Sequence, residues 1–232
     1  MKTSTRKNLA LLYLIPGIAG AALYRAIYAL AMDARELVVR GSVFEILLWI
    51  LTAAAVAGAA VIGTKVRLST DGKVPFLGCL VYAFGIFTLT LSGAQGPAPL
   101  VLAYRVVTWA AAAGMVVTAV LRILGKKQPF LLSLLPCLLC LLHLVECYQL
   151  WSEVPQVTDY VFGVGAILCA ALFAYHNMAA PAGLPAGKLY SFSGYAGIFF
   201  CLVAAVGSDF NLYFLCTAVW MLSILLTART EA

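Results

Sequence analysis

His143 and Glu146 stand three residues apart in an apolar stretch, so on a helix they share one face. An imidazole beside a carboxylate can hold, pass or neutralise a proton. Inside a membrane such groups are costly, which makes them functional candidates by default. Three further ionisable residues interrupt apolar runs: Arg25, Glu45 and Arg105. At a rise of 1.5 Å per residue, all five lie within about 5–13 Å of the same end of their helices. Two arginines balance two glutamates. The pattern predicts an outward-facing polar pocket of Arg25, Glu45, Arg105, His143 and Glu146 that binds a small solute, with Tyr28, Tyr104 and Tyr148 as hydroxyl donors. The competing reading is structural: ion pairs lock helices together, and arginines snorkel to the nearer headgroups.

Other chemistry is thinly represented. Cys137-Leu-Leu-Cys140 has redox spacing, yet it sits in a leucine run with no cation nearby to favour the thiolate. Cys140, His143 and Cys147 share a face with Glu146, but a soft-metal site there would need ligands from other helices. The seven cysteines all fall inside apolar runs, where a free thiol packs as a small hydrophobe. The chain carries no P-loop, HExxH, GxSxG or dinucleotide fingerprint. The expectation is a protein that is not an enzyme and has no metal, cofactor or nucleic-acid partner.

The elements that position these residues follow from composition. Of 232 residues, 64% are hydrophobic and 10% charged, against about 45–50% and about 25% in a soluble domain. One water-soluble core could not hide that excess. Lipid can take it, and a helical span needs about 20 apolar residues. Eight runs qualify: 9–32, 42–64, 74–92, 100–123, 130–151, 159–178, 191–207 and 211–228. The last two are short, with only Ser208, Asp209 and Phe210 between them, which suggests a tight hairpin; a seven-span count with a re-entrant hairpin there is the alternative.

Basic residues set the orientation. Lys2, Arg6, Lys7, Lys65, Arg67, Lys73, Arg122, Lys126, Lys127, Lys188 and Arg229 fall on one side of an eight-span chain, against only Arg35 and Arg40 on the other. That bias predicts a multi-pass plasma-membrane protein with both termini in the cytoplasm. The formal charge of +6 then reports cytoplasmic loops facing anionic lipid.

The chain also matches itself at a shift of 120 residues. Lys7 falls on Lys127, Pro16 on Pro136 and Tyr28 on Tyr148. Two parallel four-helix halves, 1–124 and 125–232, are expected within one membrane domain, as in parallel-repeat transporters. Pro16 and Pro136 should each remove a backbone hydrogen bond and kink their helices. The fold class is therefore all-α: a polytopic transmembrane bundle of eight spans with a 4+4 internal repeat. The function expected is a small permease or solute-binding membrane subunit. The alternative is a non-catalytic accessory, sensor or scaffold subunit of a membrane complex, with a membrane-protein partner in place of a solute.

Overall fold

The computed structural model describes residues 9–31, 41–65, 68–69, 75–91, 97–126, 129–151, 160–179, 188–207 and 209–230. The expected charges at Lys2, Arg6, Lys7, Arg35, Arg40, Arg67, Lys73 and Lys127 lie outside the described residues. Among those described, the chain is helical almost throughout. The helices are α1 (Leu9–Leu30), α2 (Val43–Lys65), α3 (Phe76–Leu91), α4 (Ala98–Ile123), α5 (Phe130–Trp151), α6 (Val161–Ala179), α7 (Lys188–Gly207) and α8 (Asn211–Thr227). Five of them, α1, α2, α4, α5 and α7, are long and apolar enough to cross a membrane; α3, α6 and α8 are shorter apolar helices. Large apolar side chains such as Ile15, Ile18, Leu102, Val106, Leu131 and Leu141 cover the outside. Water would reject that surface and lipid accepts it, so the architecture is that of a helical membrane bundle.

Local signals set the helix ends. Ser42 Oγ accepts from the Glu45 amide (3.2 Å), and Glu45 Oε2 accepts from the Gly41 amide (2.8 Å), which caps α2 reciprocally. At the far end of α4, Gly125 takes φ +66°, the left-handed conformation that a Cβ disfavours. The Lys126 amide then reaches back to Leu121 O (2.9 Å) and the Gly125 amide to Arg122 O (3.2 Å), closing a Schellman motif. Both prolines are accommodated within their helices. Tyr13 interrupts the ladder three residues before Pro16 but keeps right-handed dihedrals (φ −71°, ψ −14°). Pro136 lies inside α5.

Packing is uneven. Helices α3 to α8 close a ring in which each packs on its sequence neighbour and α8 returns to α3. The α1–α2 hairpin lies outside the ring, against α7. Helix α7 thus has four close neighbours, α1, α2, α6 and α8, and is the most buried helix. Its counterpart in a 4+4 arrangement, α3, packs closely on α4 and α8 alone, so the two halves do not make equivalent contacts. Small residues allow these approaches. On α2, Thr52, Ala55, Ala59 and Gly63 form one buried stripe, and a Cβ on Gly63 would sit 3.0 Å from the Lys188 carbonyl oxygen at the start of α7.

Lys65, Arg122, Lys126 and Lys188 mark one end of the bundle, called here the basic end, where α2 and α4 finish and α7 begins. A two-residue antiparallel pairing of Leu68–Ser69 with Arg229–Thr230 ties the C-terminal segment to the α2–α3 connection at that end.

Candidate functional site

Helix α5 presents its polar groups on one stripe. Ser133, Pro136, Cys140, His143 and Glu146 are separated by three or four residues, the spacing that keeps side chains on one helix face. All five are buried or nearly so. Helices α3, α4 and α8 supply the groups that meet this stripe across the ring.

Away from the basic end, His143 and Glu146 form an ion pair, Nδ1 to Oε2 at 3.2 Å, with side chains only 0% and 3% exposed. The Tyr104 hydroxyl from α4 lies 3.1 Å from the same Nδ1 and also reaches Glu146. The carboxylate is the acceptor of the group: the imidazole N–H and the phenol O–H both donate to it. Aromatic edges close the remaining sides. Phe210 and Tyr213 stand edge-on to the imidazole at centroid distances of 4.8 and 5.1 Å.

Cys147 is the nearest nucleophile, and its geometry is wrong for activation. Its Sγ lies 3.8 Å from Nδ1 and 3.7 Å from Nε2. A sulfur equidistant from both ring nitrogens cannot lie along the Nε2 lone pair, so the ring is not aligned to take the thiol proton. Among the described residues, no three His, Cys, Asp or Glu side chains converge as metal ligands.

Mid-bundle, Cys140 Sγ sits between two phenols, 3.7 Å from Tyr213 OH and 3.9 Å from Tyr82 OH. Tyr82 stacks on Trp220 of α8, with centroids 4.3 Å apart and planes at 7°. Toward the basic end, Trp220 faces a small cavity shared with Thr118, Ser133, Pro136 and Asn177. A file of neutral polar groups therefore continues the ionisable cluster through the ring.

The predicted site residues divide. His143 and Glu146 come together, and Tyr104 joins them. Arg25 and Arg105 are exposed on the outer surface, where a long side chain in lipid extends toward the headgroups. Neither has an ion-pair partner among the described residues. Glu45 is the α2 cap described above, so its carboxylate is engaged at a helix end. Tyr28 pairs with Tyr24, hydroxyl to hydroxyl at 3.2 Å, and Tyr148 is exposed. Cys137 and Cys140 are both free thiols; Cys137 turns to Ala171 O (3.9 Å) while Cys140 faces the phenols.

Sequence reasoning did not anticipate Ser133, Tyr82, Tyr213, Trp220 or Asn177 as members of the interior file. Continuing the His143–Glu146 face backward in steps of three and four reaches Cys140, Pro136 and Ser133, and that spacing was the available signal. Asn177, near the end of α6, is tied into the bundle: its Nδ2 donates to Phe173 O (2.9 Å) and its Oδ1 accepts from Tyr190 OH (3.1 Å).

Neither a family model, nor a curated protein, nor a solved structure matches this chain. The functional reading rests on its own residues.

Proposed function

We propose that the chain is a small permease or solute-binding membrane subunit that works through the ring α3–α8. The observation that carries this reading is the α5 stripe. Ser133, Cys140, His143 and Glu146 turn into the ring and meet Tyr104, Tyr82, Tyr213 and Trp220 from three other helices. Holding helices together in lipid calls for small residues and close packing, not a polar file from one end of the bundle toward the other. His143, Glu146 and Tyr104 are all at most 3% exposed, so no pocket opens on them at the end away from the basic one. In this reading a second, open conformation exposes them, as alternating access requires.

In this proposal all eight helices span the plasma membrane, the basic end faces the cytoplasm and both termini lie there. The lysines and arginines gathered at one end support that orientation. The self-match at 120 residues supports an ancient duplication whose halves have since packed differently. No catalytic role is proposed, because Cys147 is not positioned for activation.

The test is thermal unfolding of the purified full-length protein across a panel of small solutes. A ligand at 100 times its Kd stabilises the native state by about 2.7 kcal/mol, a shift of several degrees in Tm for a chain of this size. A solute that raises Tm in the wild type but not in His143→Ala supports the reading. The second reading, an accessory or scaffold subunit with a membrane-protein partner, draws on the sealed and hydrogen-bonded ion pair. It is favoured if no solute shifts Tm and the pair can be replaced by apolar residues with folding retained.

A further inference from the structure

Two residues that line the cavity at the basic end carry polar hydrogens without a partner among the described residues. Trp220 is 3% exposed and Ser133 is 5% exposed, and among the described residues neither Trp220 Nε1 nor Ser133 Oγ has a hydrogen-bond partner. Buried polar groups are paired in native structures, with protein or with a bound molecule. Here the two residues that carry these orphans line one cavity, with Met115, Thr118, Pro136 and Asn177. The cavity offers about 20 Å³ to the centre of a water-sized sphere, and about 10–15 Å³ suffices for one water. It sits where α5 carries Pro136, which has no N–H to donate.

The donor inventory selects the ligand. An indole N–H can only donate, and the serine hydroxyl can also donate. The Thr118 hydrogen is committed to Gly114 O (2.8 Å), and Asn177 Oδ1 is taken by Tyr190. The hydrogens left over point to an acceptor. None of the lining side chains is ionised at neutral pH, and Arg122 follows Thr118 by one turn on the same face of α4. The helix ends nearest the cavity are those of the basic end, roughly 3–12 Å away at 1.5 Å per residue.

We propose that this cavity is a binding site for one small hydrogen-bond acceptor, water or a halide-sized anion, admitted from the basic end and held by Trp220 Nε1–H and Ser133 Oγ–H. The site is separate from the His143–Glu146 pair and holds whether or not the chain moves a solute. The test is nuclear magnetic resonance of the full-length protein labelled with 15N-tryptophan, the Trp220 indole signal being assigned by Trp220→Phe. The expected result is exchange of that proton with D2O, slowed several-fold in Ser133→Leu, which fills the cavity. A saturable shift of the signal with chloride or bromide identifies the anion; exchange without a halide response identifies water. If Ser133→Leu does not fold, the wild type decides alone. A Trp220 indole proton that neither exchanges over days nor responds to halide overturns the proposal.

Discussion

Replacing Glu146 by Leu should be far more damaging alone than in company. The substitution leaves the His143 Nδ1–H and the Tyr104 hydroxyl without their shared acceptor, at 0% and 3% exposure. Each stranded buried donor costs about 1–3 kcal/mol, so the single variant should lose roughly 2–6 kcal/mol. That range overlaps the roughly 3–5 kcal/mol for breaking a buried ion pair from one side. His143→Leu with Glu146→Leu removes both ionisable groups, and adding Tyr104→Phe removes the last donor. The triple variant should recover most of the loss, because matched apolar replacement of a buried pair is often neutral. Coupling decides the matter. Ordinary hydrogen bonds between membrane helices couple by about 0.6 kcal/mol on average and at most about 1.7. A sealed His–Glu–Tyr group should exceed that upper figure. Thermal unfolding in mild detergent, read by a thiol-reactive dye, suits a chain whose cysteines are free and mostly buried. Additive effects, with coupling near the ordinary average, would refute the reasoning.

Three other outcomes follow from the same structure. Glu45→Ala should cost about 0.3–1 kcal/mol, as an acidic side chain lost from a helix N-terminus, and should leave any solute-induced shift in Tm unchanged, read in the same unfolding assay. Gly85→Ala places a Cβ 2.5 Å from the Cys216 Cβ across the α3–α8 contact; overpacking of this kind costs about 1–3 kcal/mol, and Cys216→Gly should restore most of it. Arg25→Gln and Arg105→Gln should each change Tm far less than Glu146→Leu, since both arginines are exposed and neither has an ion-pair partner among the described residues.

The helices were legible because lipid imposes a length and a composition on anything that crosses it. The predicted stretch 130–151 coincides with α5, and the others differ from their helices by three residues or fewer at each end. The largest difference is at α7, which starts at Lys188 rather than 191. The basic residue marks its first turn, and Tyr190 and Ser191 are already buried beyond it. The site was legible only where local spacing specifies direction. His143 and Glu146 share a face by virtue of being three apart on one helix. Arg25 and Arg105 matched them in depth, but depth along a helix says nothing about which way a side chain points around it. Tyr104 faces the interior and Arg105, one residue on, faces out. Glu45 was legible in another sense, as the last position of Ser42-Val-Phe-Glu45, a capping-box sequence. The basic-end cavity left no mark in a search for charge, because its walls are neutral. The ring itself depends on contacts distant in sequence, such as α3 with α8, that no local pattern encodes.

A permease working through this ring requires the α5 stripe to line an aqueous path. Single cysteines placed along α5, in a chain whose native cysteines have been replaced, can be tested with a small water-soluble thiosulfonate, which reacts with the thiolate and hence only where water reaches. Reaction at 133, 140 and 143, with 134, 138 and 141 silent and a bound solute slowing reaction at 133 and 140, is the predicted pattern. Silence at every one of these positions, or equal reaction on both faces, would contradict it.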